Sequence, residues 1–268
     1  MTVVAVVGDG ATTTAVAIAA GWPADDEVVV LEADPRGGSL AGWLDTPAQP
    51  SLATVVASAG AGRDPRAILE NLDTMVRRSE AGVRFVANAV RGRSAHRAVE
   101  EAAVAVFPAI AAAPITVIAD VGVHRAGSAP SPALRVADVV VVVHRQAPAS
   151  AGAATVRIER LVETVEELAY LDAVFLLAVI GSAPFDPTEI GMFVDQSVPD
   201  TVRTTVAVAE DPLAAATIAG RTGVSAKRLR RLPLMRNAGV LATELSHLVN
   251  TSSHLDEDDR PAREPAST

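Results

Sequence analysis

The chain alternates between short apolar runs and longer segments whose apolar residues recur with helical spacing. The runs are rich in β-branched residues and mostly lack the polar–apolar alternation of a half-solvated strand. They are Val3–Val7, Val28–Leu31, Val83–Val86, Ile115–Ala119, Val139–Val143, Val174–Ile180 and Thr205–Val208. Runs of this kind are typical of strands that are buried on both faces of a sheet. We therefore predict a strand at each of these positions.

The clearest helical segment is Val156–Leu171. Its apolar stripe consists of Ile158, Leu161, Val162, Val165 and Leu168, whereas Arg157, Glu159, Glu163 and Glu166 lie off the stripe. Alternating strands and helices with right-handed crossovers give a parallel sheet covered on both sides. The pattern predicts a single three-layer α/β domain over residues 1–250, with a mostly parallel sheet of about seven or eight strands. Residues 251–268 are polar and partly acidic, and they predict a disordered tail.

Composition narrows the functional classes. The 268 residues include no cysteine, which excludes disulfides and thiolate chemistry and favours a cytoplasmic location. The formal net charge of -9 argues against a protein that coats nucleic acid through bulk charge. The apolar N-terminus lacks a basic region and leads into a glycine loop, so we expect a strand there and no signal peptide. We also expect no membrane insertion, because prolines interrupt the longest uncharged run, Ala102–Ala119.

A glycine- and threonine-rich stretch, GDGATTTAVAIAA, follows the first predicted strand. Gly8 and Gly10 suit a tight loop, and Thr12, Thr13 and Thr14 suit the first turn of a helix. A loop of this form points backbone N–H groups at a phosphate, and the helix N-terminus adds favourable electrostatics. The stretch therefore indicates a phosphate site, although glycine turns between strand and helix also occur for structural reasons alone.

Acidic residues follow two other predicted strands. One strand leads into Glu32 and Asp34 and then a glycine turn, and another ends at Asp120, which Gly122 follows closely. The carboxyl ends of parallel strands meet at one edge of the sheet, beside the phosphate loop. Carboxylates at that edge manage magnesium and attacking water in phosphoryl-transfer enzymes. These residues are therefore the candidates for that chemistry.

The ordered set of motifs resembles the MinD/ParA family, the SIMIBI-class P-loop proteins with a deviant Walker A loop. The family loop reads KGGxGK[ST][ST], its second strand ends in DxDxxG, and its Walker B strand ends in DxxxG or a close variant. The segments LRVADVVVVVHRQAPAS, VFLLAVIGSAPFDPTEIG and VAVAEDPLAAATIAG also resemble family segments, the second of them near the base pocket. The likeness covers roughly Thr2 to Leu248.

The resemblance implies ATP or ADP as ligand, with magnesium, and it implies roles for individual positions. The implied magnesium ligands are Thr13, Asp34 and Asp120, and the implied catalytic residues of an active protein are Glu32, Asp34 and Asp120. The implied nucleotide-binding set comprises Gly8, Gly10, Ala11, Thr12, Thr13, Thr14, Asp34, Asp120 and Gly122.

The loop departs from the family pattern where that pattern carries charge. Thr12 replaces the phosphate-binding lysine, Val7 replaces the signature lysine, and Ala11 replaces a glycine. Asp9 adds a negative charge that repels phosphates. Loss of a cation at transferring phosphates removes a large part of transition-state stabilisation. The sequence therefore predicts a pseudo-ATPase that acts as a binding, positioning or regulatory subunit of a pilus, secretion or partition system.

The second motif also departs from the family. Glu32 replaces its first aspartate, and the resulting EADPRGG form resembles the CpaE/TadZ-like members associated with Tad or Flp pilus assembly in actinobacteria. Arg36 within it is interpreted as a solvated turn residue. The resemblance implies a homodimer, or a heterodimer with a related ATPase, and protein partners in an assembly or partition system.

Two alternatives stay open. One is a weakly active ATPase with an atypical loop, activated by a partner that donates an arginine. The other is a non-specific DNA-binding partition protein that uses Lys227, Arg228, Arg230 and Arg231, although we favour solvated side chains there. The scattered histidines lack metal-ligand spacing and predict no zinc site, and His124 is interpreted as a solvent-exposed loop residue.

Overall fold

One eight-stranded sheet organises the structure. The computed structural model describes residues 2–23, 27–59, 64–111, 113, 115–146 and 150–258. The strands are β1 (Thr2–Gly8), β2 (Val28–Glu32), β3 (Arg77–Arg78), β4 (Arg84–Val86), β5 (Thr116–Gly122), β6 (Val139–Arg145), β7 (Val174–Ile180) and β8 (Val202–Val208). Their order is β3-β4-β2-β5-β1-β6-β7-β8, and only the β3–β4 pair is antiparallel.

Helices connect the strands and cover both faces of the sheet. They are α1 (Ala11–Ala20), α2 (Leu40–Trp43), α3 (Leu52–Ala59), α4 (Pro65–Met75), α5 (Gly92–Ala111), α6 (Pro132–Arg135), α7 (Ala151–Leu168), α8 (Pro187–Ser197), α9 (Pro212–Ile218), α10 (Ala226–Leu229) and α11 (Pro233–Asp258). The predicted fold class, a mostly parallel sheet between helical layers, is confirmed. Helix α11 extends into the segment predicted as a tail, and residues 259–268 lie outside the described residues.

The sheet separates two apolar cores. In β1, Val3, Ala5 and Val7 face a core shared with α3, α4, α5, α7 and α8. The intervening Val4 and Val6 face a second core shared with α1, α2, α9 and α11. Because both faces of each central strand are covered, both sets of side chains are apolar, which explains the lack of alternation in the sequence.

The topology reverses direction at β1. This strand lies between β5 and β6, with β2 on the β5 side and β7 and β8 on the β6 side. Ligands of open α/β sheets bind at such a reversal, outside the carboxyl ends of the strands. The loops after β1, β2, β5 and β6 therefore form the edge where a ligand site is expected. No helix in the described part of the chain has the length and apolarity needed to cross a membrane.

Candidate functional site

The loop between β1 and α1 requires both of its glycines. Gly8 has φ 127°, and a side chain there would overlap the carbonyl of Val143 on β6. Gly10 has φ 99°, and a Cβ atom there would lie 2.7 Å from the Ile180 side chain on β7. The loop thus approaches two neighbouring strands at positions that only glycine tolerates.

Helix α1 begins with free amides directed at the loop side. The first helical hydrogen bond runs from the Thr14 amide to the Gly10 carbonyl at 3.0 Å. The amides of Ala11, Thr12 and Thr13 precede that bond, so they have no acceptor within the helix. Thr14 itself is buried, and its hydroxyl has no partner among the described residues. This arrangement of amides and positive helix end suits an anionic ligand.

Asp120 lies at the end of β5 and is buried beside the loop. Its Oδ1 accepts a hydrogen bond from the Gly122 amide at 3.2 Å, and an interaction with the Thr12 side chain lowers the pKa of the carboxyl. Burial raises the pKa of Asp120 to about 7, more than these interactions lower it. Thr12, which the sequence resemblance places at the position of the family's lysine, therefore acts on the carboxyl of Asp120.

Glu32 is also buried, but its carboxylate serves the backbone. Its Oε1 accepts the amides of Ser39 and Leu40 at 2.6 and 2.7 Å, and its Oε2 accepts the amide of Asn88 at 2.8 Å. Burial is the largest influence on its pKa and raises it. With three backbone donors, Glu32 joins the start of α2 to the loop after β4. These bonds indicate a structural role for Glu32.

Asp34 is paired with Arg36. Its Oδ1 accepts bonds from the Arg36 amide and Nε at 2.8 and 3.0 Å, and its Oδ2 accepts a bond from Nη2 at 2.7 Å. This carboxylate holds the pKa of Arg36 above its usual value. Arg36 is an exposed turn residue, as interpreted from the sequence, and its guanidinium also donates to both oxygens of Asp34.

The pairing of Asp34 with Arg36 bears on the predicted magnesium site, because Asp34 is one of its predicted ligands. The oxygen donors of Thr13, Asp34 and Asp120 are of the type that Mg²⁺ prefers. In this arrangement Asp34 already accepts three hydrogen bonds from Arg36, so a magnesium ion bound by this set would compete with Arg36 for the oxygens of Asp34. No cluster of three or more His, Asp or Glu side chains suited to a metal occurs in the described ranges. Ligation by these residues stays a prediction.

Two arginines from outside the loop lie against it. Nη2 of Arg157, on α7, lies 3.1 Å from Oδ2 of Asp9 and 2.9 Å from the carbonyl of Arg145. Nε of Arg145, the last residue of β6, lies 3.8 Å from the Cβ position of Gly10. Sequence reasoning missed both arginines, since only the β1–β6 pairing and the packing of α7 bring them to the loop.

A cavity of about 610 Å³ opens at the ends of β6, β7 and β8, and it is lined by Gly181, the residue after Ile180, whose side chain approaches Gly10. Gln146 lines it, and its side-chain amide donates to the carbonyls of Gly181 and Phe185 at 3.0 and 2.8 Å. The side chains of Asp186, Glu210 and Asn237 provide polar groups in the wall. Residues of the segment that resembles the family's base-pocket region, among them Gly181, Ser182 and Asp186, therefore line a cavity, whereas its use as a base pocket stays a prediction.

The remaining predicted residues lie elsewhere. Lys227, Arg228, Arg230 and Arg231 are all exposed, on α10 and the turn after it. His124, interpreted from sequence as exposed, has a side chain that is only 3% exposed, and its Nε2 lies 2.9 Å from Oε2 of Glu167. The side chain of His124 is buried because α7 brings Glu167 over the loop that follows β5.

Comparisons with known proteins find likeness in structure alone. No protein-family model and no curated protein matches the chain. A ParA family ATPase from Chlorobium tepidum TLS is similar with a TM-score of 0.65 and 15% identity, over 91% of this chain and 98% of that one. The septum site-determining protein MinD from Pyrococcus horikoshii OT3, complexed with Mg-ADP, is similar with a TM-score of 0.63 and 15% identity, over 92% and 97%.

A variant of McdA from Cyanothece, in complex with ATP, is also similar, with a TM-score of 0.61 and 14% identity over 92% of this chain and 96% of that one. These similarities extend over nearly the whole of each chain. At such low sequence identities they establish the fold alone. The chain therefore has the fold of the MinD and ParA ATPases.

Proposed function

We propose that this protein is a pseudo-ATPase of MinD/ParA type that binds an adenine nucleotide and does not hydrolyse it. The observation that carries the proposal is the β1–α1 glycine loop, whose Gly10 approaches Ile180, next to Gly181 in the wall of the 610 Å³ cavity. The loop supplies amides for phosphates, and the cavity has room for a base. Two proteins of this fold, the MinD and McdA described above, were solved with Mg-ADP and with ATP, which supports the choice of ligand.

We expect no hydrolysis because of the contacts that Thr12, Glu32 and Asp34 make. Thr12 provides a hydroxyl side chain that interacts with Asp120 in place of an ammonium group at the phosphates. Glu32 is bonded to three backbone amides, and Asp34 is bonded to Arg36. With these contacts, Thr12, Glu32 and Asp34 are not arranged to activate water or to stabilise charge on a transferring phosphoryl group.

The biological role that fits a binding-only protein is positioning or regulation. Nucleotide would control assembly of a homodimer, or of a heterodimer with a related ATPase, in the cytoplasm. The EADPRGG motif supports a place in pilus assembly, because it resembles the CpaE/TadZ-like form of the second family motif. Secretion and partition systems are the other settings that the MinD/ParA-type fold suggests.

Calorimetric titration with ATP and with ADP, followed by a steady-state hydrolysis assay, tests the proposal. We expect binding of both nucleotides and no hydrolysis above the rate of an Asp120→Ala variant purified in parallel. That variant is the matched control, because a contaminating ATPase gives the same rate in both preparations.

Two results would contradict the proposal in different ways. Absence of binding at millimolar ATP and ADP would leave the fold as a scaffold without nucleotide. Hydrolysis by the wild-type protein that disappears in the Asp120→Ala variant would instead establish the weakly active ATPase. If turnover appears only after a partner is added, the partner-activated alternative is correct.

A further inference from the structure

We propose that Arg145 supplies the phosphate-binding cation that the loop itself lacks. The inference rests on the proposed nucleotide binding and adds the residue that holds the phosphates. The loop carries no lysine, and the one lysine of the chain, Lys227, lies on the exposed surface of α10. A cation at this site must therefore come from an arginine on another element.

The pairing of β1 with β6 places Arg145 beside the loop. Gly8 on β1 pairs with Val143 on β6, so the residues that follow these two positions run side by side. Arg145 follows Val143 by two positions, as Gly10 follows Gly8, and its Nε lies 3.8 Å from the Cβ position of Gly10. The side chain of Arg145 thus lies beside Gly10, the residue that directly precedes α1.

The Nε atom of Arg145 is buried and has no hydrogen-bond partner among the described residues. An unpaired donor of a charged group is costly in the interior of a protein. An anionic ligand at the loop would give this donor an acceptor, and the planar guanidinium matches the geometry of phosphate oxygens. The ligand-free arrangement therefore leaves at Arg145 the donor that a phosphate would use.

The neighbouring charges leave Arg145 available. Asp9, the acidic residue of the loop, is paired with Arg157 and so does not engage Arg145 in an ion pair. Arg157 also donates to the Arg145 carbonyl at 2.9 Å, which fixes the backbone from which the side chain extends. Arg36, the other arginine of this edge, is held by both oxygens of Asp34.

Arg145 also lies on the path between loop and cavity. Its neighbour Gln146 lines the 610 Å³ cavity, and Ile180, which approaches Gly10, precedes the cavity residue Gly181. A nucleotide with its base in the cavity and its phosphates at α1 would pass Arg145. The expected contact is therefore to the phosphate chain and not to the base.

Titration of the purified protein with ATP, ADP and adenosine separates these contributions. We expect Arg145→Gln to weaken ATP binding by about ten- to a hundredfold, the range for a lost charge-assisted hydrogen bond, and to leave adenosine affinity unchanged. Arg203→Gln is the matched control, because Arg203 is an exposed arginine at the opposite end of the sheet, near the start of β8. It should bind all three ligands as the wild type does.

Equal ATP affinity of the wild-type and Arg145→Gln proteins would overturn the inference while nucleotide binding stands. Absence of ATP binding by the wild type would overturn the proposed function and the inference with it. If Arg145→Gln does not fold, modification of wild-type arginines by phenylglyoxal replaces it. ATP should then protect Arg145 and not Arg203, and equal modification of Arg145 with and without ATP would contradict its role.

Discussion

Asp120 and Glu32 show how differently two buried carboxyl groups can be satisfied. Both are 1% exposed, but Glu32 accepts three backbone amides whereas Asp120 accepts one amide and interacts with the Thr12 side chain. Fewer donors leave the ionised form of Asp120 less compensated for the loss of water. Its pKa of about 7 therefore places a titration at the loop in the neutral range.

This titration predicts a pH dependence of stability. The pKa of Asp120 is raised from 3.8 to about 7, so the folded state binds more protons than the unfolded state between these values. The contribution of the protonated group is fully present below pH 3.8 and is lost as pH rises towards 7. The upper bound of the loss is about 4 kcal/mol, because one pKa unit corresponds to about 1.4 kcal/mol.

Urea unfolding of wild type and Asp120→Asn at about pH 5 and about pH 8, on either side of the raised pKa, checks this prediction. Asparagine cannot ionise, so we expect the variant to gain stability relative to the wild type as the pH rises. Glu32 also has a raised pKa and its charge helps to raise the pKa of Asp120, so the variant removes the Asp120 titration together with its coupling to Glu32. A stability difference that is the same at both pH values would show that Asp120 does not titrate in this range.

At the scale of elements, the β1–α1 loop is fixed by its contacts to β6 and β7. A side chain at Gly8 would overlap the Val143 carbonyl, and the positive φ of Gly8 is strained for other residues. We expect Gly8→Ala to lower the free energy of unfolding by at least about 2 kcal/mol. It should also weaken ATP binding, since the amides of α1 would move.

The control is Gly42→Ala, at an exposed position of α2, where an added Cβ meets no atom within 4 Å. Alanine favours a helix over glycine, so this variant should be unchanged or up to about 1 kcal/mol more stable. Urea denaturation of the two variants beside the wild type gives both numbers. A Gly8→Ala protein as stable as the wild type would mean that the loop can accommodate a side chain at this position without loss of stability.

The same scale shows what the sequence could and could not reveal. Apolar runs identified every strand except β3. This strand consists only of Arg77 and Arg78, so it is too short and too polar to give an apolar pattern. The loop and the strand-end carboxylates were also visible, because each motif is contiguous. The pairing of Asp9 with Arg157 was not, since these residues are 148 positions apart and meet only through the packing of α7.

At the scale of the whole molecule, the candidate site gathers short pieces of many elements. The loop after β1, the carboxylates after β2 and β5, Arg145 at the end of β6 and the cavity walls after β7 and β8 all lie at one edge of the sheet. A nucleotide bound there would contact both halves of the sheet across the reversal at β1. Binding would therefore stabilise the fold as a unit.

This linkage gives a prediction for thermal unfolding. At about a hundred times its dissociation constant, ATP should add about 2.7 kcal/mol to the free energy of unfolding and raise Tm by about 5–10 °C. Because Arg36 already covers Asp34, we expect the same shift with excess EDTA as with Mg²⁺. Adenosine, which lacks phosphates, is the control ligand and should give a smaller shift. A Tm increase that requires Mg²⁺ would contradict this expectation and show that the ion takes part in nucleotide binding.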